Sequence, residues 1–356
     1  MKLFAQDEVS PSPLPPLAQV GENKGFSDEL KVSEFHRETL QNNRDPLCSI
    51  VCTTYNHAQY CLAAIDSILN QSYRPIELVI VDDGSCDNNV ELIKRALEEA
   101  ELPSLLIEKP NDGNVSRNGN IAIRHATGEV VVTFSLDDLL LPRCISEKMK
   151  LFAQNSKLAI VGNSCYAEIS ETGKVLAAAT TLPLFGYETE TPSFMVELEY
   201  STIGTYFLQG TALRRTFLNK IGGFDEACSG DDLPFRTRAW KHLEENADLD
   251  YIFLPHPSFA YRRSKRSLHN DSLRQIITVI EWRNKYFPGR DLPLLAMIWT
   301  RRAFSDLETS KGTEYLRAVV AGYPELEVEY NKYKKSWLRR RRLLRASLLS
   351  CGCLQS

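Results

Sequence analysis

Long apolar runs are missing from this chain of 356 residues. No stretch reaches the roughly 18 apolar residues that a membrane-spanning helix needs, so we expect no such helix. The N-terminus also lacks the positive and then apolar pattern of a secretory signal peptide. From these two absences we expect a protein that is made and kept in the cytoplasm.

An excess of positive charge is missing as well. The formal net charge is −4 and the sequence pI is about 6.0, whereas proteins that bind nucleic acid usually carry a basic surface. Nucleic acid is therefore excluded as the main partner. The nine cysteines are unevenly spaced and include no CxxC pair, which disfavours a zinc site and predicts reduced thiols.

Two glycine-rich phosphate loops are also absent. The first strand is not followed by the GxGxxG pattern of dinucleotide-binding folds, and no GxxxxGK[ST] loop occurs. The first absence disfavours a dehydrogenase. A phosphate-containing substrate would have to be neutralised by other groups in this protein.

The N-terminal residues 1–45 differ from the rest of the chain. They are rich in Pro, Ser and Gly, a composition that predicts a flexible tail, with a short helix possible around residues 27–42. From residue 46 the pattern becomes that of a folded domain. Residues 270–350 are predicted to be mainly helical, with a basic end. We therefore divide the chain into a tail (1–45), a folded domain (46–268) and a helical C-terminal extension (269–356).

Apolar runs alternate with amphipathic helical patterns after residue 46. The predicted strands are 48–54, 76–82, 104–109 and 129–135, and the predicted helices between them are 58–71, 89–100 and 115–126. This alternation predicts an α/β fold whose central sheet is mostly parallel and flanked by helices. Further along the chain we predict a helix at 142–155, a strand at 158–162, a hairpin at 170–174, a helix at 232–246 and a strand at 251–254.

Polar residues follow each of the first four predicted strands. They are Thr53, Tyr55 and Asn56 after the first strand, Asp82 and Asp83 after the second, Asn111, Asp112 and Arg117 after the third, and Asp137 and Asp138 after the fourth. Ligands of open α/β sheets bind beyond the carboxyl ends of the strands, so this clustering predicts a pocket. Two carboxylates at one strand end could hold Mg²⁺ or Mn²⁺, which can bridge a diphosphate.

Several segments in order carry a family resemblance. They are "TTYN" (53–56), "VDDGS" (81–85), "NDGNVSRNGNIA" (111–122), "FSLDDLLLP" (134–142) and "GGFDEACSGDDLPFRTRAWK" (222–241). With these segments, the chain from about Pro46 to about Ser267 resembles the family 2 inverting glycosyltransferases. Their fold is GT-A, the nucleotide-diphospho-sugar transferase fold. The resemblance implies transfer of a sugar from a nucleotide-diphosphate sugar, a UDP-sugar, to an acceptor hydroxyl. It also implies a nucleotide-binding half at 46–140 and an acceptor half at 141–268.

The resemblance further implies roles for the donor side of the pocket. Thr53, Tyr55, Asn56 and Asp83 would bind the nucleotide, with Asp83 accepting from a uracil ring N–H, and Arg117 would pair with the diphosphate. Asp137 and Asp138 match the DXD-like pair of the family, so Asp137 would contact ribose or sugar hydroxyls and Asp138 would ligate Mn²⁺ or Mg²⁺. Each motif has a structural alternative: an Asp-Gly turn for Asp83, an exposed helix arginine for Arg117, and a solvated turn for the acidic pair.

The resemblance places the catalytic base on Asp232, with Asp231 as the second candidate. An inverting transfer needs one base that takes the proton of the attacking hydroxyl. Both carboxylates would also suit a helix N-terminus, where the helix dipole stabilises negative charge. One departure concerns the metal: the family often has a histidine after the final strand, where this chain has Ser264, and His269 follows five residues later.

The C-terminal residues 332–354 concentrate basic side chains with Trp337 and leucines. They could form an amphipathic helix on the inner face of an anionic membrane, or a solvated helix packed on the catalytic domain. The acceptor could be a saccharide, a lipid-linked sugar or a protein, in the synthesis of surface polysaccharide, glycolipid or glycoconjugate. Two alternatives to transfer remain: a catalytically decayed nucleotide-sugar-binding homologue, and a nucleotidyltransferase, for which "TYNHAQY" (54–60) lacks the glycine-rich and basic character.

Overall fold

A computed structural model gives the fold. It describes residues 30–40, 45–202, 204–264 and 271–306, and the residues from 316 to 335 other than 318, 319, 325 and 329. The strands are β1 Lys31–Phe35, β2 Cys48–Thr54, β3 Ile76–Asp82, β4 Ser104–Glu108, β5 Val130–Ser135, β6 Leu139–Leu140, β7 Leu158–Asn163, β8 Cys165–Ser170, β9 Val175–Thr181, β10 Ala212–Arg214, β11 Asp250–Leu254 and β12 Phe259–Arg263.

Helices cover both faces of the main sheet. They are α1 Cys61–Leu69, α2 Asn89–Glu99, α3 Val115–His125, α4 Cys144–Gln154, α5 Pro192–Ser201, α6 Arg215–Ile221, α7 Asp232–Glu245, α8 Ser272–Tyr286 and α9 Leu294–Asp306. No helix among the described residues is both long and apolar enough to cross a membrane.

The main sheet has eight strands in the order β1-β4-β3-β2-β5-β10-β7-β11. Strands β4, β3, β2 and β5 are parallel to one another, as the alternating pattern predicts. Strand β10 runs antiparallel between β5 and β7, and β1 runs antiparallel to β4 at the edge. The α/β class with a helix-flanked sheet is confirmed, and the sheet is mixed outside its parallel centre.

The central strands are buried on both faces, which explains why they read as continuous apolar runs. Because side chains alternate along a strand, successive residues enter two different cores. Ile50 of β2 packs in the core that also holds Ile65 of α1 and Ile93 of α2. Val51 packs in the opposite core, with Ile121 of α3 and Phe235 of α7. Both cores hold the carboxyl ends of β2, β3, β4 and β5 at one edge of the sheet.

A second sheet was not predicted. Its order is β6-β12-β8-β9, with β12 parallel to β8 and antiparallel to β6. Strand β6 is only two residues long and begins at Leu139, directly after the acidic pair. Asp137 and Asp138 therefore lie in the short link between the main sheet and the second sheet.

Two further predictions concern the two ends of the chain. The prediction of a short helix around residues 27–42 is wrong for the part that the structure describes. Lys31–Phe35 is a strand because it pairs with the open edge of β4, and Arg37–Leu40 is a 3₁₀ turn. Helices α8 and α9 lie within the region predicted to be mainly helical. His269 and residues 336–356, with Trp337 and most of the basic end, lie outside the described residues, as do residues 1–29.

Candidate active site

The carboxyl ends of β2 and β3 are tied together by the loops that follow them. Asn56 has a backbone φ of 53°, and its N–H donates to the Ser85 hydroxyl over 2.8 Å. Its side-chain oxygen accepts from the Cys86 backbone N–H at 2.8 Å. Asp82 closes the second turn by accepting from the Ser85 N–H at 2.8 Å and the Asn89 amide at 2.9 Å. Asp82 therefore has a structural role in this turn.

Asp83 is buried and already surrounded by donors. Its carboxylate accepts from the ammonium group of Lys109, and from the backbone N–H groups of Asp112 at 3.2 Å and Gly113 at 3.1 Å. Lys109 is itself almost fully buried. This pairing fixes the loop after β4 against the loop after β3. The sequence predicted Asp83 but missed Lys109, although Lys109 directly follows β4 and the same strand-end rule would have found it.

Gly84 allows these two loops to touch. Its φ of +68° is unfavourable for other residues, and a Cβ atom there would lie 2.6 Å from the Asn111 backbone nitrogen. By contrast, Tyr55 is 45% exposed, and Thr53 lies within the ladder opposite Ser135. The structure thus brings Thr53, Asn56 and Asp83 to one edge, with the Tyr55 ring open to solvent.

Arg117 lies in the first turn of α3, half-buried between two acidic side chains. Its Nη1 atom lies 2.5 Å from Oδ2 of Asp112, and its Nε atom lies 3.2 Å from Oε2 of Glu226. The helix begins at an Asn114 cap, whose side chain accepts from the Arg117 N–H at 3.0 Å. Sequence reasoning missed Glu226, which belongs to the loop before α7 and comes close to Arg117 only in the folded chain.

The acidic pair after β5 differs in burial between its two members. The Asp138 side chain is buried, and its Oδ1 atom accepts from the Arg262 backbone N–H at 2.8 Å. Burial and the neighbouring Asp137 carboxylate raise the pKa of Asp138 well above its ordinary value. Asp137 is half-buried and accepts from the Ser135 hydroxyl at 2.6 Å.

Arg262 of β12 holds the link that carries this pair. Its Nε atom donates to the Asp137 carbonyl at 2.6 Å, and its Nη1 atom donates to the carbonyls of Ser170 and Glu171 at 3.2 and 3.1 Å. The guanidinium also lies 4.6 Å from the ring centre of Tyr60. Arg262 therefore joins β12, the β8–β9 turn and the acidic link. Its role was not predicted.

Two adjacent carboxylates fit a divalent cation in their chemistry, because Mg²⁺ and Mn²⁺ prefer oxygen ligands and a cation would relieve the repulsion between Asp137 and the buried Asp138. Within the described ranges, no group of three or more His, Cys, Asp or Glu side chains is placed to hold a metal ion. Any such ion would need further ligands from substrate or water. Ser264 follows β12 within the described residues, and His269 does not lie within them.

Asp231 and Asp232 begin α7. Asp231 occupies the position before the first helical residue and makes no capping hydrogen bond with its side chain. The Asp232 side chain is 36% exposed, and its Oδ2 atom lies 3.0 Å from Nη1 of Arg236. Desolvation by the surrounding protein and the charge of Asp231 raise the pKa of Asp232 to about 7. A carboxylate of that basicity can accept a proton near neutral pH.

The loop from residue 222 to 231 connects this acidic end of α7 to the donor side of the pocket. Asn120 of α3 donates to the Phe224 carbonyl at 3.0 Å, and Asn114 donates to the Glu226 carbonyl at 3.0 Å. On its other side, Ser229 donates its N–H to Glu281 of α8 over 2.7 Å. The two predicted parts of the site are therefore joined through one loop.

The fold, with its site at the strand ends, identifies the class of this protein. The structure is similar to S. aureus TarS 1–349, solved in complex with UDP-GlcNAc, with a TM-score of 0.51 and 16% sequence identity, covering 80% of this chain and 79% of that one. The chain has the GT-A fold, as predicted. Residues 49–222, just under half of the chain, match the model of glycosyl transferase family 2.

Relatives identified by sequence agree with the family. An uncharacterised glycosyltransferase of Haemophilus influenzae is 29% identical over 144 residues, which are 40% of this chain and 56% of that protein. The hyaluronan synthase of Pasteurella multocida is 31% identical over 146 residues, which are 41% of this chain and 15% of that protein. The chain thus matches about half of the first relative's length and a small part of the second's.

Proposed function

We propose that this protein is an inverting glycosyltransferase that moves a sugar from a UDP-sugar to an acceptor hydroxyl, with Asp232 as the general base. The observation that carries the proposal is the Asp232 carboxylate itself. It is partly exposed at the start of α7, it is held at 3.0 Å by Arg236, and its pKa is raised to about 7. The family match over residues 49–222 supplies the reaction class.

The chemistry assigned to Asp232 is a single displacement. Asp232 removes the proton of the acceptor hydroxyl while that oxygen attacks the anomeric carbon. The new carbon–oxygen bond forms on the face opposite the nucleotide, and the bond from the anomeric carbon to the diphosphate oxygen breaks. The nucleotide leaves as its diphosphate, and the configuration at the anomeric carbon is inverted. Asp231, one residue earlier, adds negative charge beside Asp232 and is the second candidate for the general base.

The donor would bind along the carboxyl ends of β2, β3 and β5. Thr53, Tyr55, Asn56 and Asp83 would contact the nucleoside, and Asp137 would accept hydrogen bonds from ribose or sugar hydroxyls. The Asp83 carboxylate already accepts from Lys109 and two backbone N–H groups. A uracil N–H that donates to this carboxylate would therefore share it with these donors. UDP is the nucleotide we propose, in keeping with the UDP-GlcNAc complex of TarS.

Arg117 would pair with the diphosphate. A planar guanidinium matches two phosphate oxygens, but Arg117 is engaged by Asp112 and Glu226. Binding of the diphosphate would therefore exchange or share these partners. Asp138, with Asp137 beside it, would hold a divalent ion. When bound, Mn²⁺ or Mg²⁺ would offset the negative charge that develops on the diphosphate leaving group.

In this proposal the catalytic domain remains residues 46–268, with the acceptor bound on the side of residues 141–268. The acceptor is a saccharide, a lipid-linked sugar or a protein. Surface polysaccharide, glycolipid and glycoconjugate synthesis are the processes to which such a transfer belongs.

The decisive experiment measures nucleotide release from a panel of UDP- and GDP-sugars, with and without Mn²⁺. We expect release from at least one UDP-sugar, and loss of release in Asp232→Asn with nucleotide affinity kept. Asp248→Asn is the matched control, because Asp248 is an exposed aspartate just beyond the C-terminal end of α7. Release at an unchanged rate in Asp232→Asn would disprove the base assignment. No release from any donor would favour a nucleotide-sugar-binding protein without catalysis.

A further inference from the structure

A continuous line of polar contacts runs from Asp232 into the core. Arg236 donates from Nη1 to Asp232 at 3.0 Å and from Nε to Oε1 of Glu199 at 2.8 Å. The other Glu199 oxygen accepts from the Thr205 backbone N–H at 2.9 Å and from its hydroxyl at 2.5 Å. The indole N–H of Trp240 donates in turn to the Thr205 hydroxyl at 3.2 Å.

The inner members of this line are fully enclosed. Glu199 has no exposed surface and Arg236 is 3% exposed. Arg236 also donates to the Tyr206 carbonyl at 2.8 Å. Gly204 closes the remaining side: its φ is +104°, and a Cβ atom there would lie 2.5 Å from Nη2 of Arg236. The guanidinium is therefore held in one orientation, and Asp232 is the partly exposed end of this line of contacts.

On this basis, and resting on the proposed function, we propose that Glu199 and Arg236 form a positioning pair that orients Asp232 and sets the charge that faces it. Stability alone does not explain the pair, since a buried ion pair costs desolvation and often contributes little to folding. Glu199 comes from α5, a different helix from the one that carries Asp232, so its contact with Arg236 is purely tertiary.

The proton affinity of Asp232 depends on how the positive charge of Arg236 is divided between Asp232 and Glu199. If Arg236 faced Asp232 alone, its positive charge would hold that carboxylate ionised and make it a weak base. Glu199 shares the charge of Arg236, so Asp232 keeps a high affinity for the proton while its hydrogen bond to Nη1 fixes its direction. The ionisable groups around Asp232 are Asp231 just before α7, Arg236 on α7, Glu199 on α5, the Tyr206 phenol and, beyond Ser229, Glu281 on α8.

The test compares the pH dependence of kcat in two opposite variants, using the UDP-sugar that releases nucleotide fastest in the panel. In Glu199→Gln the positive charge of Arg236 is no longer offset by Glu199 and acts fully on Asp232. The midpoint of the acidic limb should therefore fall by about one pH unit, and the kcat plateau should fall by about tenfold. Arg236→Met should move the midpoint upwards. The double variant Glu199→Gln/Arg236→Met removes both charges and should return the midpoint towards that of the wild type.

Glu197→Gln is the matched control. Glu197 lies on the same helix and pairs with Arg290 at 2.8 Å, but it is 59% exposed in its side chain and faces away from Arg236. It should leave the profile unchanged. A merely structural role would lower kcat equally at every pH, so an unmoved midpoint in Glu199→Gln overturns the proposal. Should that variant fail to fold, an unmoved midpoint in Arg236→Met overturns it equally.

Failure of this inference is distinguishable from failure of the proposed function. If wild type releases no nucleotide, or Asp232→Asn remains active, the base assignment itself fails. If wild type is active and Asp232→Asn is not, an unchanged midpoint in the Glu199 and Arg236 variants removes only the positioning pair. Nucleotide affinity should stay the same in the Glu199 and Arg236 variants, because the hydrogen bonds that these side chains make among the described residues go to Asp232, Thr205 and Tyr206 rather than to β2, β3 or β5.

Discussion

The backbone N–H of Arg262 lies 2.8 Å from Oδ1 of Asp138. This contact links the second sheet to the acidic pair that follows β5. The Arg262 side chain adds a second link through the Asp137 carbonyl at 2.6 Å. One residue of β12 thus contacts the Asp138 carboxylate and the Asp137 backbone, which are 124 and 125 positions earlier in the chain.

Arg262→Met removes the side-chain link and leaves the backbone link. We expect Asp137 and Asp138 to be held less rigidly, so that the apparent affinity for Mn²⁺ in the release assay falls about tenfold, as for other residues that orient metal ligands. Titration of Mn²⁺ against release measures this. Arg214→Met is the control, since Arg214 also donates to backbone carbonyls, at Leu158 and Asn155, but on β10. Equal effects of the two variants would contradict the prediction.

Asp138→Asn should abolish metal-dependent release and yet stabilise the apo protein. The substitution removes a buried charge beside Asp137, while the amide oxygen can still accept from the Arg262 N–H. A gain of about 1–2 kcal/mol in the free energy of unfolding is expected near neutral pH. Urea unfolding without metal measures it. A loss of stability would show that the carboxylate is compensated in the folded protein.

Glu226→Gln should tighten nucleotide binding. Glu226 shares the Arg117 guanidinium with Asp112, so neutralising it makes more of that positive charge available to a diphosphate. Because the pair is partly exposed, the expected gain in UDP affinity is only about two- to fivefold. Calorimetric titration with UDP measures the change, and Glu197→Gln serves as control. Arg117→Met should act in the opposite direction; weaker binding by Glu226→Gln would refute this account of Arg117.

Asp225 connects the loop before α7 to α8, and its contribution depends on pH. Burial opposes its ionisation, but hydrogen bonds from Lys285 and Tyr286 outweigh burial and lower the pKa to about 2. A lowered folded-state pKa stabilises the protein above the unfolded-state value, and this stabilisation is lost as pH falls through the folded value. Asp225→Asn should therefore cost about 2 kcal/mol at neutral pH and clearly less near pH 3.

Urea unfolding at the two pH values measures this difference. Asp248→Asn, at an exposed position beyond α7, should cost little at either pH. A penalty of Asp225→Asn that is the same at both pH values would mean that the ionised contact with Lys285 is unimportant.

The basic C-terminal sequence 332–354 gives a prediction that rests on sequence alone. If it binds anionic membranes, the full chain should float with vesicles that contain an anionic phospholipid, and the chain truncated at Tyr333 should not. Vesicles of neutral phospholipid are the control. Equal flotation of both chains, or none of the full chain, would exclude this membrane contact.

Much of the central fold could be predicted because its physical signals are local. A strand buried on both faces is apolar along most of its length, so β2, β3, β4 and β5 appear in the sequence as continuous apolar runs. The rule that ligands bind at the carboxyl ends of parallel strands then led to Asp83, Asp137 and Asp138. Strand β1 was missed because its side chains are largely exposed, and only the open edge of β4 makes it a strand.

By itself the sequence determined the residue types and their order: acidic pairs after an apolar strand and at the start of a helix, an arginine after a third strand, and the alternation that places them at one edge. Only the tertiary structure decided their partners. Lys109 with Asp83, Glu226 with Arg117, Arg262 with Asp138 and Glu199 with Arg236 are brought together by packing of separate elements. Local periodicity reports which face of an element is buried, but not which side chain it will meet there.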